Sequence, residues 1–174
     1  EREWIRDHPV FTVGAFSLPP YIIQNKNGQI TGYMTELVRK ISAKTGLTPH
    51  FSYDSLESVL KRSENKAIPV VMGVIRTPER ARRFDFSIEP HPINLSIFGR
   101  ADDPRIGDLA SLNGKRIATY PHYSVQPLLE KQLRNVRFVM AKDALDMLQK
   151  VARGQADAAV QELHTGQYMV RNYY

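Results

Sequence analysis

The chain has 174 residues, 42% of them hydrophobic and 24% charged, with a net charge of +6 and a sequence pI of about 9.6. That length suits one large domain or two small lobes, no apolar run approaches the ~20 residues of a membrane-spanning helix, and the absence of cysteine excludes disulfides and thiolate metal sites. The basic residues are spread along the chain and mixed with acids, apart from one cluster of Arg76, Arg80, Arg82 and Arg83. No recognition helix, zinc finger or aromatic RNA-binding signature accompanies them, so the charge does not point to a nucleic-acid partner.

Residues 1–7 read as a short helix ended by His8-Pro9. The polar start shows no secretory signal, and a fragment cut from a longer chain need not show one. Val10–Ala15 alternates as a strand, residues 17–21 (S-L-P-P-Y) make a rigid turn, and residues 25–28 carry two turn signals before Ile30. Tyr33–Thr45 reads as a helix, with Leu37, Ile41 and Ala43 at helical spacing and Gly46 closing it. Residues 47–53 alternate as a second strand, and Asp54 can cap a helix running to about Ser63. The apolar run 68–75 reads as a third strand.

Past Ser87 the texture changes. A proline-broken stretch, 88–92, leads to a strand over 93–98 and a short capped turn over 109–114. Residues 116–120, 136–139 and 156–160 then read as strands, and 124–133, 141–153 and 162–173 as helices. In the second of these helices Ala144, Leu145, Leu148 and Val151 share a face, with Gly154 beyond its end. Tyr168, Tyr173 and Tyr174 are expected to pack the last helix. Each half of the chain therefore repeats a β-α-β-α-β order, which implies parallel strands and right-handed crossovers. Two α/β lobes, residues 1–92 and 93–174, with a cleft between them and a crossing near 93–98, are the economical architecture.

The most informative run is R-T-P-E-R-A-R-R-F-D-F-S, residues 76–87. It follows the third apolar run. Thr77 is a good N-cap, Pro78 fits the first helical position, and Glu79 suits the positive end of the helix dipole. Arg80 then lies on the first turn of a helix at the carboxyl end of a strand, where open α/β sheets bind ligands. An arginine there can clamp a carboxylate with two prongs, or pair on the surface with Glu79 or Asp85. The five histidines share no metal-ligand spacing, and no G-x-S-x-G, Walker loop or H-E-x-x-H occurs. Neither a metal nor a cofactor is expected, and no activated nucleophile is visible.

Seven pieces, in order, carry a resemblance: W-I-R-D-H-P-V-F-T-V-G from Trp4, L-P-P-Y from Leu18, N-G-Q-I-T-G-Y from Asn27, V-M-G-V-I-R-T-P-E-R from Val71, F-D-F-S from Phe84, L-N-G-K-R-I-A from Leu112 and G-Q-A-D-A-A-V from Gly154. Together they resemble the bacterial extracellular solute-binding proteins of family 3, with the type II periplasmic-binding or Venus-flytrap fold. The opening Trp and His-Pro, and the Tyr123-Ser124 pair, look most like the sensor modules of membrane histidine kinases. The resemblance implies that Arg80 grips a ligand carboxylate, that Tyr53 stacks on the ligand, and that the backbone at Gly73 and Ile75 offers hydrogen bonds. It also places Leu18 in the first binding loop and Tyr123 and Ser124 at a helix N-terminus that donates N–H groups. Glu162 would hold an ammonium group. Leu18 stands where amino-acid binders commonly carry an aromatic residue, and His122 where they carry a glycine.

The implied function is a periplasmic sensing domain that binds an amino-acid-like or carboxylate solute between its lobes and signals by closing. It would reach the membrane only through its parent protein. The rivals are a free solute-binding protein of an amino-acid transporter and a cyclohexadienyl-dehydratase-like enzyme, the latter needing Glu162 as a general acid. Family members run further and return to finish the first lobe. That implies a first-lobe face covered by a returning segment or by a second copy of the chain in a homodimer.

Overall fold

The computed structural model describes residues 2–173, in two units that divide between Ser87 and Ile88. The first unit is built around one central strand. After the short helix α1 (Arg2–Asp7), β1 (Val10–Ala15) begins beside Pro9, whose carbonyl accepts the Thr48 N–H at 2.6 Å. A small antiparallel hairpin follows, β2 (Ile23–Gln24) and β3 (Ile30–Thr31). Its turn is held by the Asn25 side chain, which accepts the N–H groups of Asn27 and Gln29. Helix α2 (Tyr33–Thr45) ends on Gly46 in the left-handed region, at φ 80°, where glycine carries no Cβ penalty. Strand β4 (Thr48–Tyr53), helix α3 (Leu56–Glu64) and strand β5 (Val70–Val71) complete the unit. The sheet order is β4-β1-β5, all parallel, with Ala15 opposite Tyr53 and Gly14 opposite Val71. Val13, Ala15, Ile22 and Met72 are the buried centre of its core.

Two expectations for this unit need correction. The strand expected over 68–75 pairs only at Val70–Val71. Ile68 is fully buried as a core side chain, Pro69 has no N–H to donate, and the chain turns away at Gly73. The cap of α3 is Ser55, whose hydroxyl accepts the Ser58 N–H at 3.1 Å, while Asp54 supports it by accepting the Ser55 N–H at 2.7 Å. On α2 the buried positions are Thr35 and Ser42, whereas Ile41 is 53% exposed and Ala43 is exposed. Apolar spacing alone could not tell which stripe faced the sheet.

In the second unit β6 (Leu95–Gly99) runs antiparallel to β9 (Ala158–Glu162), and β7 (Arg116–Thr119) is parallel to both β9 and β8 (Arg137–Met140). The order is β6-β9-β7-β8. The helices are α4 (Gln126–Gln132), α5 (Ala144–Ala152) and α6 (Leu163–Tyr173). Successive strand residues face opposite sides. Accordingly Ala159 packs with Met147, Leu148, Val151 and Met169, while Ala158 and Val160 pack with Val125, Leu129 and Leu133.

The helix expected from Ser124 starts at Gln126. A turn intervenes, with the Tyr123 N–H donating to the Tyr120 carbonyl at 3.2 Å and the Gln126 N–H to the Tyr123 carbonyl at 3.3 Å. The helix expected from Ala141 starts at Ala144, behind an Asp143 cap whose carboxylate accepts the Asp146 N–H at 2.9 Å. Strand β9 runs on through Glu162, so α6 starts one residue later than expected. Helix α6 packs through Thr165, Gly166 and Met169; Tyr168 is half-buried and Tyr173 is 56% exposed. Tyr174 lies outside the described residues.

Candidate functional site

In the first unit the carboxyl ends of β1, β4 and β5 lie together, as parallel pairing requires. Tyr53 ends β4 opposite Ala15, half-buried, in an apolar cluster with Leu18, Val71 and Val74. The last ladder bond of the third strand is Met72 N–H to the Gly14 carbonyl at 3.2 Å. Gly73 then turns the chain at φ 77°. A Cβ there would stand 3.0 Å from both Leu18 Cδ2 and Ile22 Cδ1, so close packing as well as backbone conformation calls for glycine. Leu18 thus fills the space that a side chain at position 73 would need.

Arg80 opens a single 3-10 turn, Arg80–Arg82. The Thr77 hydroxyl accepts its N–H at 3.2 Å, but the helix expected from Pro78 is only this turn, and its N-cap residue is Glu79, not Thr77. The Arg80 side chain is half-buried, and Nη1 donates to the Ile75 carbonyl at 3.1 Å. The structure therefore joins Arg80 to Ile75 and fixes the guanidinium beyond the end of β5.

In the second unit the polar groups gather where β9 meets α6, with no loop between strand and helix. Glu162 is only 7% exposed. Its Oε2 accepts the Thr165 N–H at 2.8 Å, which caps α6, while Oε1 is buried without a hydrogen-bond partner among the described residues. Tyr123 reaches the same place from the loop after β7. Its hydroxyl lies 3.0 Å from the Val160 carbonyl and 2.9 Å from Gln161 Oε1, and its ring stacks on Tyr120 with centroids 4.4 Å apart. Burial, with lesser contributions from Tyr120 and Glu162, pushes the Tyr123 phenol well above its ordinary range. Ser124 is half-buried in the turn ahead of α4 and is not on the helix itself. His122 holds φ 61°, a left-handed backbone that a glycine adopts freely.

Gln161, Tyr120 and Thr165 belong to this cluster and were missed in the sequence. One signal was available: the strand A-A-V-Q-E stays buried throughout yet ends in two polar residues. Buried polar groups of that kind require partners. Among the described residues no three His, Asp or Glu side chains are placed to hold a metal, and no helix is long and apolar enough to cross a membrane.

Known proteins share this fold. The virulence sensor protein BvgS of Bordetella pertussis is 25% identical over 177 residues, covering all of this chain and 14% of that protein. The crystal structure of its periplasmic domain superposes with a TM-score of 0.90 at 23% identity, covering 99% of this chain and 34% of that one. A histidine kinase sensor domain with similarity to periplasmic binding proteins gives 0.85 at 28% identity, over 94% of this chain and 72% of that one. An ancestral arginine-binding protein bound to arginine gives 0.86 at 22%, over 94% and 74%. The chain thus spans a small part of the sensor protein it matches and most of the single binding domains. The model of one family covers residues 12–167, and on that match the chain belongs to the bacterial extracellular solute-binding proteins, family 3.

Proposed function

We propose that the chain is the periplasmic solute-sensing domain of a membrane histidine kinase. It takes a small amino-acid-like zwitterion or carboxylate and signals by the closure that the family resemblance implies, driven by tighter binding to the closed state. Family membership and the 28% identity to a histidine kinase sensor domain support the sensor reading. The observation that carries the ligand class is Glu162. A buried carboxylate oxygen without a donor is costly, and a ligand ammonium supplies that donor. Arg80 contributes a planar fork for the ligand carboxylate, held in place through Ile75. Tyr53 and Leu18 offer apolar surface, Gly73 backbone approach, and Tyr123 and Ser124 the wall of the second unit.

A thermal-shift panel of L-arginine, L-glutamine and small carboxylates tests this. A solute at 100 times its Kd adds about 2.7 kcal/mol of stability. Glu162→Gln is expected to weaken the amino acids and spare the simple carboxylates. A panel without a single shift, or equal losses for both solute types, overturns the reading.

A further inference from the structure

Gln161 is 2% exposed, at the carboxyl end of a strand that is otherwise alanine and valine up to Glu162. An apolar side chain of similar size would occupy that place without the cost of burying an amide. The amide does something such a side chain cannot. Its Oε1 accepts the Glu162 backbone N–H at 2.8 Å and lies 2.9 Å from the Tyr123 hydroxyl. A phenol is protonated at physiological pH in any case, and the Tyr123 hydroxyl has one proton to share between Gln161 Oε1 at 2.9 Å and the Val160 carbonyl at 3.0 Å. The Tyr123 ring is braced in turn by Tyr120, the residue after β7.

We propose that Gln161, anchored by Tyr123, is a positioning residue for Glu162: it ties the residue that carries the carboxylate to the loop between β7 and α4. This rests on the role given above to Glu162 in solute binding. The chain of contacts runs from Tyr120 through Tyr123 and Gln161 to the Glu162 backbone, and from the Glu162 carboxylate to the Thr165 N–H. Glu162 is thereby pinned at two points, main chain and side chain, by groups on different elements. Fixing both lowers the freedom its carboxylate must lose when it meets a cation.

The test uses Gln161→Met, which keeps length and loses the amide, and Tyr123→Phe, which keeps the ring and loses the hydroxyl. The first readout is amide hydrogen exchange in the solute-free protein. The Thr165 N–H, which does not touch Gln161, is expected to exchange about tenfold faster in Gln161→Met and severalfold faster in Tyr123→Phe. The Asp146 N–H, held by Asp143 on α5, is the control and is expected to stay unchanged. The second readout is discrimination between L-arginine and 5-guanidinopentanoate, which lacks the α-ammonium; that ratio is expected to fall in both variants. Unchanged Thr165 exchange, or equal acceleration at Asp146, overturns the proposal. Should Gln161→Met not fold, Tyr123→Phe decides alone. If Glu162→Gln abolishes the discrimination while both variants keep it and keep Thr165 protected, the positioning role falls and the function stands. If Glu162→Gln leaves discrimination intact, the function falls, and the exchange arm still judges the positioning.

Discussion

Arg116 grips Asp157 with a fork, Nη2 to Oδ1 at 2.7 Å and Nε to Oδ2 at 3.3 Å, and its backbone N–H adds a bond to Oδ2 at 2.8 Å. The return bond, Asp157 N–H to the Arg116 carbonyl at 2.8 Å, closes the pair. The start of β7 is thus fastened to the residue that leads into β9.

Acid sensitivity follows. The Arg116 side-chain bond holds the Asp157 carboxyl below its ordinary value, and the Arg105 bond holds Asp103 at about 2. A folded pKa below the unfolded value of 3.8 means that the unfolded chain binds more protons. Each group's stabilisation is therefore complete above that value and is lost as pH falls through the folded one. The urea midpoint is expected to drop between about pH 4 and pH 2, and Asp103→Asn and Asp157→Asn to flatten that drop. A midpoint equally steep in both variants would assign the acid response elsewhere.

Arg80→Ala is expected to remove solute-induced stabilisation while the solute-free domain stays folded. Loss of a charge-assisted pair worth about 2–3 kcal/mol weakens binding by roughly 30- to 150-fold. Arg80→Lys should recover only part of it, since a point charge cannot reproduce the fork. Calorimetric titration of each variant with the solute identified in the panel reads this directly, and unchanged affinity in Arg80→Ala would remove the clamp.

Gly166 on α6 faces the ring of Phe98 on β6 so closely that an added Cβ would overlap it. Gly166→Ala should destabilise by about 1–3 kcal/mol through overpacking, despite alanine's better helix propensity. Combined with Phe98→Leu it should cost less than the two single changes summed, because the sites share one contact. Chemical unfolding of the double-mutant cycle measures the coupling.

Asp143→Ala should cost about 1 kcal/mol, the ordinary worth of an N-cap. The cap is reciprocal, for the Lys142 N–H donates to Asp146 at 2.9 Å while the Asp146 N–H donates to Asp143. Asp143→Asn should recover most of the loss, and an unfolding midpoint as low as that of Asp143→Ala would show that the carboxylate charge, not the cap, matters.

Local signals were read well where one signal ruled. Val10–Ala15 is bounded by Pro9 and the turn at 17–21, and Tyr33–Thr45 is closed by a glycine, so both elements stand at their expected bounds. The run 68–75 failed because hydrophobicity reports burial and not pairing: Ile68 is buried without joining the ladder. At α4 the boundary moved because Tyr123 and Ser124 belong to a turn that precedes the helix. Arg80 and Glu162 were singled out through the resemblance, and the structure sets Arg80 beyond the end of β5 and Glu162 at the end of β9. Gln161 was not, since its role depends on Tyr123, 38 residues away in the chain. Only the fold brings those two together.

The strand-to-helix junction at Glu162 also has a mechanical meaning. Helix α6 has 11 residues, a rod of about 16 Å at 1.5 Å per residue. Glu162 sits at its pivot, as the last residue of the strand and the cap of the first turn. A tilt of about 5° at that pivot carries the Tyr173 end of the rod by roughly 1.4 Å. The group proposed to hold the solute therefore stands at the point about which any such tilt of α6 would turn.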